Sequence, residues 1–354
     1  MSGAIVDTHA EAAELELAPL LVREPLAAFL DARGLGEGPL EADPLGDGHS
    51  NVTYLIRRGA TELVLRRPPR PPLPPSAHDV LREAFLLSAV EHADVRTPRV
   101  LATCEDTGVI GAPFYVMEKV EGDVITTHVP PALDSPEQRR RIADELIDAL
   151  VEVHAVDWRA CGLEGYGKPT GYLERQLRRF GGLWEHNKTR EIATLDRVSA
   201  WLAEHRPESG PATIVHGDYR LGNTMLAPGA PARLNAIFDW ELATIGDPLA
   251  DVGYLTATYA QAGDAGTIFT LGAVTTQAGF PSRGELIARY EERSGRAMGD
   301  VRWYATLALW KAAIFLEGSY KRLLAGTTDD PFFTLLDTGV PDLAEYAWRV
   351  AHDD

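Results

Sequence analysis

The sequence is poor in the residues that cross-link small domains or bind zinc through sulfur. Only two of its 354 residues are cysteines, Cys104 and Cys161. Two cysteines are too few for a disulfide framework or for a cysteine-rich zinc site. A length of 354 residues with 45% hydrophobic residues is sufficient to bury a core without such links. We therefore expect a globular protein of the reducing cytoplasm.

Long apolar runs and positive charge are scarce as well. No apolar run reaches the length of a transmembrane helix, and the N-terminal residues MSGAIVDTHAEAAELE are acidic, unlike a signal peptide. The 34 basic residues are outnumbered by 52 acidic ones, which gives a net charge of −18. Because such a surface repels other polyanions, we expect neither nucleic acid nor a membrane as a partner.

Carboxylates at fixed spacing are concentrated in residues 214–254. This stretch begins IVHGDYRLGNTML and, after a short gap, continues NAIFDWELATIGDPLADVGYL. Asn223 follows Asp218 by five residues, and Asp239 comes sixteen residues after Asn223. Apolar residues flank each of them, which indicates polar loops at the ends of short strands. The spacing from Asp218 to Asn223 equals that of the Asp and Asn in the kinase catalytic loop.

Phosphoryl transfer needs such a set of groups. One carboxylate accepts the proton of the attacking hydroxyl, while an amide and a second carboxylate hold magnesium on the nucleotide phosphates. The motif HGDYRLGN followed by FDWELATIGDPLAD resembles the aminoglycoside phosphotransferase family, which includes choline-kinase-like proteins. More narrowly, it is similar to the kinase-like domain that is found fused to acyl-CoA dehydrogenases. The resemblance runs from about Leu45 to the last helices.

The resemblance implies an α+β, bilobed, protein-kinase-like fold. Its small N-lobe has an antiparallel sheet with one helix, and its larger C-lobe is mostly helical. We expect the N-lobe over residues 21–117 and the C-lobe over residues 118–354, preceded by a flexible arm over residues 1–20.

The catalytic and metal-binding roles follow from the same resemblance. Asp218 is expected to be the catalytic base, and Arg220 to neutralise charge on the transferred phosphoryl group. Asn223 and Asp239 are expected to bind Mg²⁺, which prefers oxygen ligands. Asp251 is expected to hydrogen-bond the backbone of the catalytic loop rather than touch substrate.

The nucleotide contacts are expected in the N-lobe and at its exit. A turn over residues 46–51 offers backbone amides to phosphates, and the segment FYVMEKVEGD resembles the kinase hinge, where the Glu118 carbonyl and the Val120 N–H would bind adenine. The candidate cofactor-binding residues are Ser50, Asn51, Val64, Arg66, Glu83, Met117, Glu118 and Val120.

Arg66 departs from the family pattern. It stands where the family usually has a lysine, and Glu83 on the following helix is its expected partner. An arginine keeps the charge and can bind a phosphate through two hydrogen bonds, although it is longer than lysine. Arg67 is the alternative candidate for this position.

Local patterns predict most of the regular structure. Apolar periodicity, caps and turn residues predict a hairpin over 52–57 and 62–67, strands over 97–100 and 114–117, and helices over 24–33, 76–92, 135–154, 284–294, 301–316 and 342–348. Helical segments are also expected within 163–210, and the prolines of residues 68–75 predict a stiff connector.

The leading prediction is an ATP- and Mg²⁺-dependent phosphotransferase that phosphorylates a hydroxyl of a small molecule. The sequence leaves the acceptor open among an aminoglycoside, a hydroxyacyl compound and another hydroxylated metabolite. It also leaves open the choice between ATP and GTP and the oligomeric state. The alternative is a nucleotide-binding pseudokinase with a regulatory role, which Arg66 in place of lysine favours. A metallohydrolase would require histidine ligands near the three Asp residues, and the sequence has no such cluster.

Overall fold

A computed structural model describes residues 4–46, 51–71, 73, 78–264, 266–269, 273–328 and 331–352. The chain forms two compact units. The first comprises Met1–Ala93 and Thr97–Glu121, and the second comprises Asp94–Arg96 and Gly122–Asp354. Among the described helices, none has the length and apolarity that crossing a membrane requires.

The first unit is built on a five-stranded antiparallel sheet with the order β3-β4-β5-β7-β6. Its elements are β1 Ile5–Val6, α1 His9–Ala13, β2 Leu21–Val22, α2 Arg23–Asp31, β3 Glu41–Leu45, β4 Val52–Arg58, β5 Thr61–Arg67, α3 Val80–Val90, β6 Val100–Cys104, α4 Thr107–Ile110 and β7 Phe114–Glu118. The predicted hairpin is confirmed as β4 and β5, which turn at Gly59 in the left-handed region with φ +57°. Leu63 and Leu65 of β5 are buried in a core with Leu26 and Leu30 of α2, so Val64 and Arg66 project from the opposite face.

The N-terminal segment differs from the expected flexible arm. Ile5 and Val6 pair in parallel with Leu21 and Val22. Between these strands, the Thr8 side chain accepts a hydrogen bond from the Glu11 N–H. The Glu11 carboxylate in turn accepts a hydrogen bond from the Thr8 backbone N–H. This capping box starts the short helix α1, and its pattern T-x-x-E is visible in the sequence.

Two further boundaries in the first unit were misplaced. Helix α3 begins after Asp79, whose carboxylate accepts from the Arg82 N–H, while Ser76, at which the predicted helix begins, lies outside the described residues. Most of the proline-rich connector also lies outside them. Strand β6 begins at Val100 rather than Thr97, since Pro98 has no N–H to donate to a strand ladder.

The second unit is mostly helical. Its elements are β8 Asp123–Val124, α5 Pro136–Ala155, α6 Tyr172–Asn187, α7 Ala193–Glu204, β9 Thr213–Val215, β10 Thr224–Leu226, β11 Leu234–Ile237, β12 Thr244–Gly246, α8 Leu249–Thr258, α9 Arg283–Ser294, α10 Val301–Leu324 and α11 Leu336–His352. The predicted helices are confirmed, although α10 and α11 extend beyond the predicted bounds. The Ser135 cap of α5 is also confirmed, since its side chain accepts from the Gln138 N–H at 3.3 Å.

Helix α10 is the centre of this unit. Trp303, Tyr304 and Trp310 of α10 are buried in one core with residues of α6, α7 and α11. At Gly253 of α8, an added Cβ would lie only 2.4 Å from Tyr304, so only glycine lets α8 approach α10 this closely. The short strands β9 to β12 lie between α7 and α8 in the chain, and their loops carry the motif residues.

Candidate catalytic and nucleotide sites

Two antiparallel strand pairs position the motif residues of the second unit. Asp218 follows β9, which pairs with β12. Asn223 precedes β10 and Asp239 follows β11, and these two strands pair through Thr224 and Ile237. The Phe238 N–H also donates to the Asn223 carbonyl at 2.8 Å. The fold therefore brings Asn223 and Asp239 to the same end of one hairpin.

Asp239 has a strained backbone. Its φ of +67° places a non-glycine residue in the left-handed region. It is followed directly by the short 3₁₀ helix Trp240–Leu242, and the Trp240 indole N–H donates to the Ile237 carbonyl at 2.9 Å. Strain of this kind persists where the surrounding structure fixes it, and it occurs often at functional sites.

The two oxygens of the Asp218 carboxylate differ in their hydrogen bonding. Oδ2 accepts a hydrogen bond of 2.8 Å from the Asn223 amide. Oδ1 is buried and has no hydrogen-bond partner among the described residues. Arg220 Nε lies 3.7 Å from Oδ1, too far for a hydrogen bond but close enough for electrostatic attraction. A buried acceptor without a donor is costly, which marks Oδ1 as a position for a ligand hydroxyl.

Arg220 lies partly exposed beside this carboxylate. It also lines a cavity of about 20 Å³, enclosed in part by Leu255 and Tyr259. A cavity of that volume holds about one water molecule, so it is not an acceptor pocket.

Asp251 holds the backbone of the loop that carries Asp218, as the sequence predicts. Its fully buried carboxylate accepts from the N–H groups of His216 and Gly217 at 2.7 and 2.8 Å. His154 Nε2 lies 3.2 Å from the same carboxylate. Burial acts to raise the pKa of Asp251, but the hydrogen bonds from His154 and the Gly217 backbone lower it overall.

His216 connects the two loops of the site. Its Nδ1 accepts from the Asp218 N–H at 3.2 Å, so its Nε2 must carry the proton that is donated to the Phe238 carbonyl at 2.9 Å. Both ring nitrogens are thus used in fixing the loop. Gly217, which lies between His216 and Asp218 in the chain, has a φ of +89°, and a Cβ at this position would lie 2.9 Å from Leu242.

Tyr254 is a site residue that sequence reasoning missed. It lies on α8, one turn after Asp251, and its hydroxyl is close to Asp218. Burial and then the Asp218 carboxylate hold the pKa of the Tyr254 hydroxyl well above its ordinary value. The pattern D-x-x-Y places both residues on one helix face, which is the only trace of this in the sequence.

In the first unit, Arg66 and Glu83 form the predicted ion pair. Arg66 Nε donates to Glu83 Oε2 at 3.0 Å, and the two side chains are 13% and 2% exposed. Arg67, the alternative, projects from the other face of β5, where its guanidinium donates to the carbonyls of Leu20, Pro68 and Ile110. Burial lowers the pKa of Arg67 to about 10. Its hydrogen bonds therefore assign Arg67 to the core of this unit.

The other nucleotide candidates lie on the same sheet or next to it. Val64 of β5 is paired directly with Met117 of β7, and both are buried. Asn51 is buried just before β4, whereas Ser50 lies outside the described residues. Glu118 is the last residue of β7. Val120 follows within the same unit, two residues later.

The side-chain oxygens of Asn223 and Asp239 are the hard donors that Mg²⁺ prefers. Because the two residues provide only two ligand groups, they suit an ion that takes its remaining ligands from phosphates and water. Among the residues that the structure describes, no three His, Cys, Asp or Glu side chains form a cluster that could hold a metal.

Comparison with known proteins shows which family the chain resembles. The model of the phosphotransferase enzyme family (APH) matches residues 41–304. Mouse acyl-CoA dehydrogenase family member 10 is 34% identical over 316 residues, which are 89% of this chain and 29% of that protein. Human acyl-CoA dehydrogenase family member 11 is 32% identical over 301 residues, 84% of this chain and 38% of that protein. The chain thus spans about a third of the length of these curated relatives.

Solved structures confirm the fold class. A provisionally assigned aminoglycoside phosphotransferase from Ralstonia eutropha has a TM-score of 0.80 and 32% identity, covering 93% of this chain and 97% of its own. Aminoglycoside phosphotransferase APH(4)-Ia, solved with AMP-PNP and hygromycin B, has a TM-score of 0.58 at 16% identity, covering 94% of this chain and 100% of its own. The predicted α+β kinase-like architecture and the predicted family resemblance are both confirmed.

Proposed function

Because the chain belongs to the phosphotransferase enzyme family, we propose that it transfers the γ-phosphate of ATP to a hydroxyl of a small molecule. The observation that carries this proposal is the buried Oδ1 of Asp218, which has no hydrogen-bond donor among the described residues. A substrate hydroxyl is a donor that fits this position, and a carboxylate there accepts its proton as the oxygen attacks phosphorus.

The neighbours of Asp218 support its role as base. Asn223 binds only Oδ2, so it fixes the carboxylate plane without occupying Oδ1. The Tyr254 hydroxyl beside Asp218 stays protonated, because burial and the carboxylate raise its pKa. Arg220 lies 3.7 Å from Oδ1 and supplies a positive charge for the phosphoryl oxygens near the attacking group.

Magnesium would be held by Asn223 and Asp239. When bound, it neutralises the charge that develops on the nucleotide phosphates. The nucleotide would contact the first unit, where Arg66 carries a phosphate-binding charge oriented by Glu83. Val64 and Met117 offer an apolar surface for adenine, and the backbone of Glu118 and Val120 offers its hydrogen bonds. That APH(4)-Ia was solved with AMP-PNP supports nucleotide use by this fold.

The acceptor remains a choice among an aminoglycoside, a hydroxyacyl compound and another hydroxylated metabolite. Hygromycin B in the complex of APH(4)-Ia illustrates the first class. The acyl-CoA dehydrogenase names of the curated relatives agree with the second, although this chain spans about a third of those proteins.

The test is transfer from γ-labelled ATP with Mg²⁺ into a pooled small-molecule extract. Wild type and Asp218→Asn are compared after a thermal-shift assay has shown that both bind nucleotide. Labelled product with wild type alone supports the proposal, and the product mass identifies the acceptor class. Nucleotide binding by both proteins without transfer from any pool favours the pseudokinase. Absence of nucleotide binding contradicts both hypotheses.

A further inference from the structure

Lys311 is a cation that the catalytic proposal does not use. It is one of five lysines in the sequence and lies partly buried on α10. Its side chain has no hydrogen bond or ion pair with any residue that the structure describes, and its ammonium lies 4.8 Å from the centroid of the Phe180 ring. Burial, and then the nearby charge of Arg179, lower the pKa of Lys311 to about 8. Burying a cation without a counterion costs stability, and such a cost is tolerated at functional sites.

A second cation lies against the same aromatic ring. Arg179 of α6 has its guanidinium carbon 6.0 Å from the Phe180 centroid and makes no ion pair within the described part of the chain. Phe180 is buried and fixed by edge contact with Phe315 at 5.1 Å. Two like charges on one rigid ring repel each other, and an anion bound by both would relieve that repulsion.

Lys311 lies within electrostatic range of the loop that carries Asp218. Helix α10 packs on α8 where Gly253 approaches Tyr304, and Lys311 is seven residues after Tyr304, on the same helix face. Tyr254, next to Gly253, has its hydroxyl close to Asp218. The Asp251 and Asp218 carboxylates also act on the Lys311 ammonium, where they oppose the lowering of the pKa.

We propose that Lys311 and Arg179 form an anion subsite that binds a carboxylate or phosphate group of the acceptor. This inference rests on the proposed function and specifies its substrate class: the phosphorylated hydroxyl belongs to an anionic molecule. A polycationic acceptor such as an aminoglycoside would bring further positive charge to two cations that form no ion pair with any described residue. The subsite therefore selects against that class.

The subsite can be tested without knowing the acceptor. The full chain, without nucleotide, is treated with an amine-acylating reagent, and the labelling rate of each of the five lysines is followed by mass spectrometry. Sodium phosphate and sodium acetate are compared with sodium chloride at equal ionic strength. We expect either phosphate or acetate to slow the labelling of Lys311 about fivefold, while the labelling rates of Lys168 and Lys188 stay unchanged. Protection by phosphate or by acetate distinguishes the two kinds of anionic group.

Matched variants make the result specific. Arg179→Gln should abolish the protection of Lys311, whereas Arg178→Gln, which removes an adjacent arginine that is exposed as Arg179 is, should preserve it. Lys311→Met should remain folded, with a higher melting temperature than wild type because it removes the buried charge. Protection by neither anion, or equal loss of protection in both arginine variants, would overturn the inference.

The outcome is separable from the proposed function. Asp218→Asn, which should not transfer phosphate, is expected to show wild-type protection of Lys311. If transfer fails with every pool but protection is observed, the proposed function is wrong and the anion subsite stands. If an acceptor is found, Lys311→Met should raise its KM at least tenfold with little change in kcat. An acceptor with no anionic group would overturn the inference and leave the phosphotransferase intact.

Discussion

The side-chain amide of Asn223 donates two hydrogen bonds to Asp218, one to its backbone carbonyl and one to Oδ2, each at 2.8 Å. This single nitrogen fixes both the loop and the carboxylate. Since the amide nitrogen is directed at Asp218, the amide oxygen is directed away and remains for a cation. One residue thus connects the two halves of the proposed chemistry, the base and the metal site.

Variants of Asn223 should separate these two functions. Asn223→Ala removes both the hydrogen bonds to Asp218 and the oxygen ligand for the metal. We therefore expect kcat to fall about a hundredfold and the Mg²⁺ concentration for half-maximal rate to rise. Asn223→Asp keeps an oxygen ligand but loses the donor to Asp218, so kcat should fall while the Mg²⁺ requirement stays close to that of wild type. Steady-state rates across a Mg²⁺ titration measure both quantities. A wild-type kcat for Asn223→Ala would contradict the proposed orientation of the base.

Loss of charge at Asp251 should destabilise the second unit. Asp251→Asn replaces one of the two carboxylate oxygens with an NH2 donor, so one of the N–H groups of His216 and Gly217 loses its acceptor in a fully buried position. We expect a loss of about 2–4 kcal/mol in the free energy of unfolding, seen as a lower melting temperature in calorimetry. The matched change Asp342→Asn, at an exposed position on α11, should alter it by less than about 0.5 kcal/mol. Equal melting temperatures for the two variants would show that the buried contacts are not stabilising.

The adjacent residues Arg66 and Arg67 should respond differently to the same replacement. Arg66→Lys keeps a charge for Glu83 and for a phosphate, so nucleotide Kd should change less than about threefold. Arg67→Lys loses the planar group that binds three backbone carbonyls, so the melting temperature should fall while nucleotide Kd stays unchanged. Arg66→Gln, which removes the charge, should raise nucleotide Kd about tenfold. Calorimetric titration with ATP and thermal unfolding give the two readouts, and the opposite pattern would exchange the roles of the two arginines.

The buried pair of His154 and Asp251 should make stability depend on pH. His154 Nδ1 lies 2.7 Å from the Tyr290 hydroxyl, and burial is the main cause that lowers the pKa of His154 below the ordinary histidine value of 6.5. Arg296 acts in the same direction, while Asp251 opposes it. Below pH 6.5 the unfolded chain therefore binds the proton more readily than the folded one, so stability should fall as the pH falls from 6.5 towards the folded pKa.

The measurement is the melting temperature between pH 7.5 and 5.5, with His154→Gln as the test variant. The variant is expected to be less stable at pH 7.5, but its melting temperature should fall less steeply with decreasing pH than that of wild type. His205→Gln, at an exposed position on the C-terminal cap of α7, is the matched control and should keep the wild-type slope. An unchanged slope in His154→Gln would show that this histidine does not carry the pH dependence.

Much of the architecture could be predicted because its determinants are local. The hairpin β4–β5 follows from alternating residues around Gly59, and the start of α5 follows from the Ser135 cap. The spacing of Asp218, Asn223 and Asp239 reflects short strands and tight loops. The sequence therefore also predicted that these three residues belong to one site. The strand β1 and the helix α1 were not predicted, because a capping box and a two-residue strand are too short to be recognised without the pairing partner at Leu21 and Val22.

The sequence by itself determined the family, the two-unit α+β fold and the motif residues, since each rests on patterns within a few tens of residues. Only the tertiary structure decided which of two neighbouring arginines binds Glu83, because that depends on the face of β5 that packs on the core. It also decided that Tyr254 lies beside Asp218 and that Lys311 and Arg179 meet at one ring. These contacts join residues far apart in the chain, and they exist only because the fold of the second unit brings those residues together.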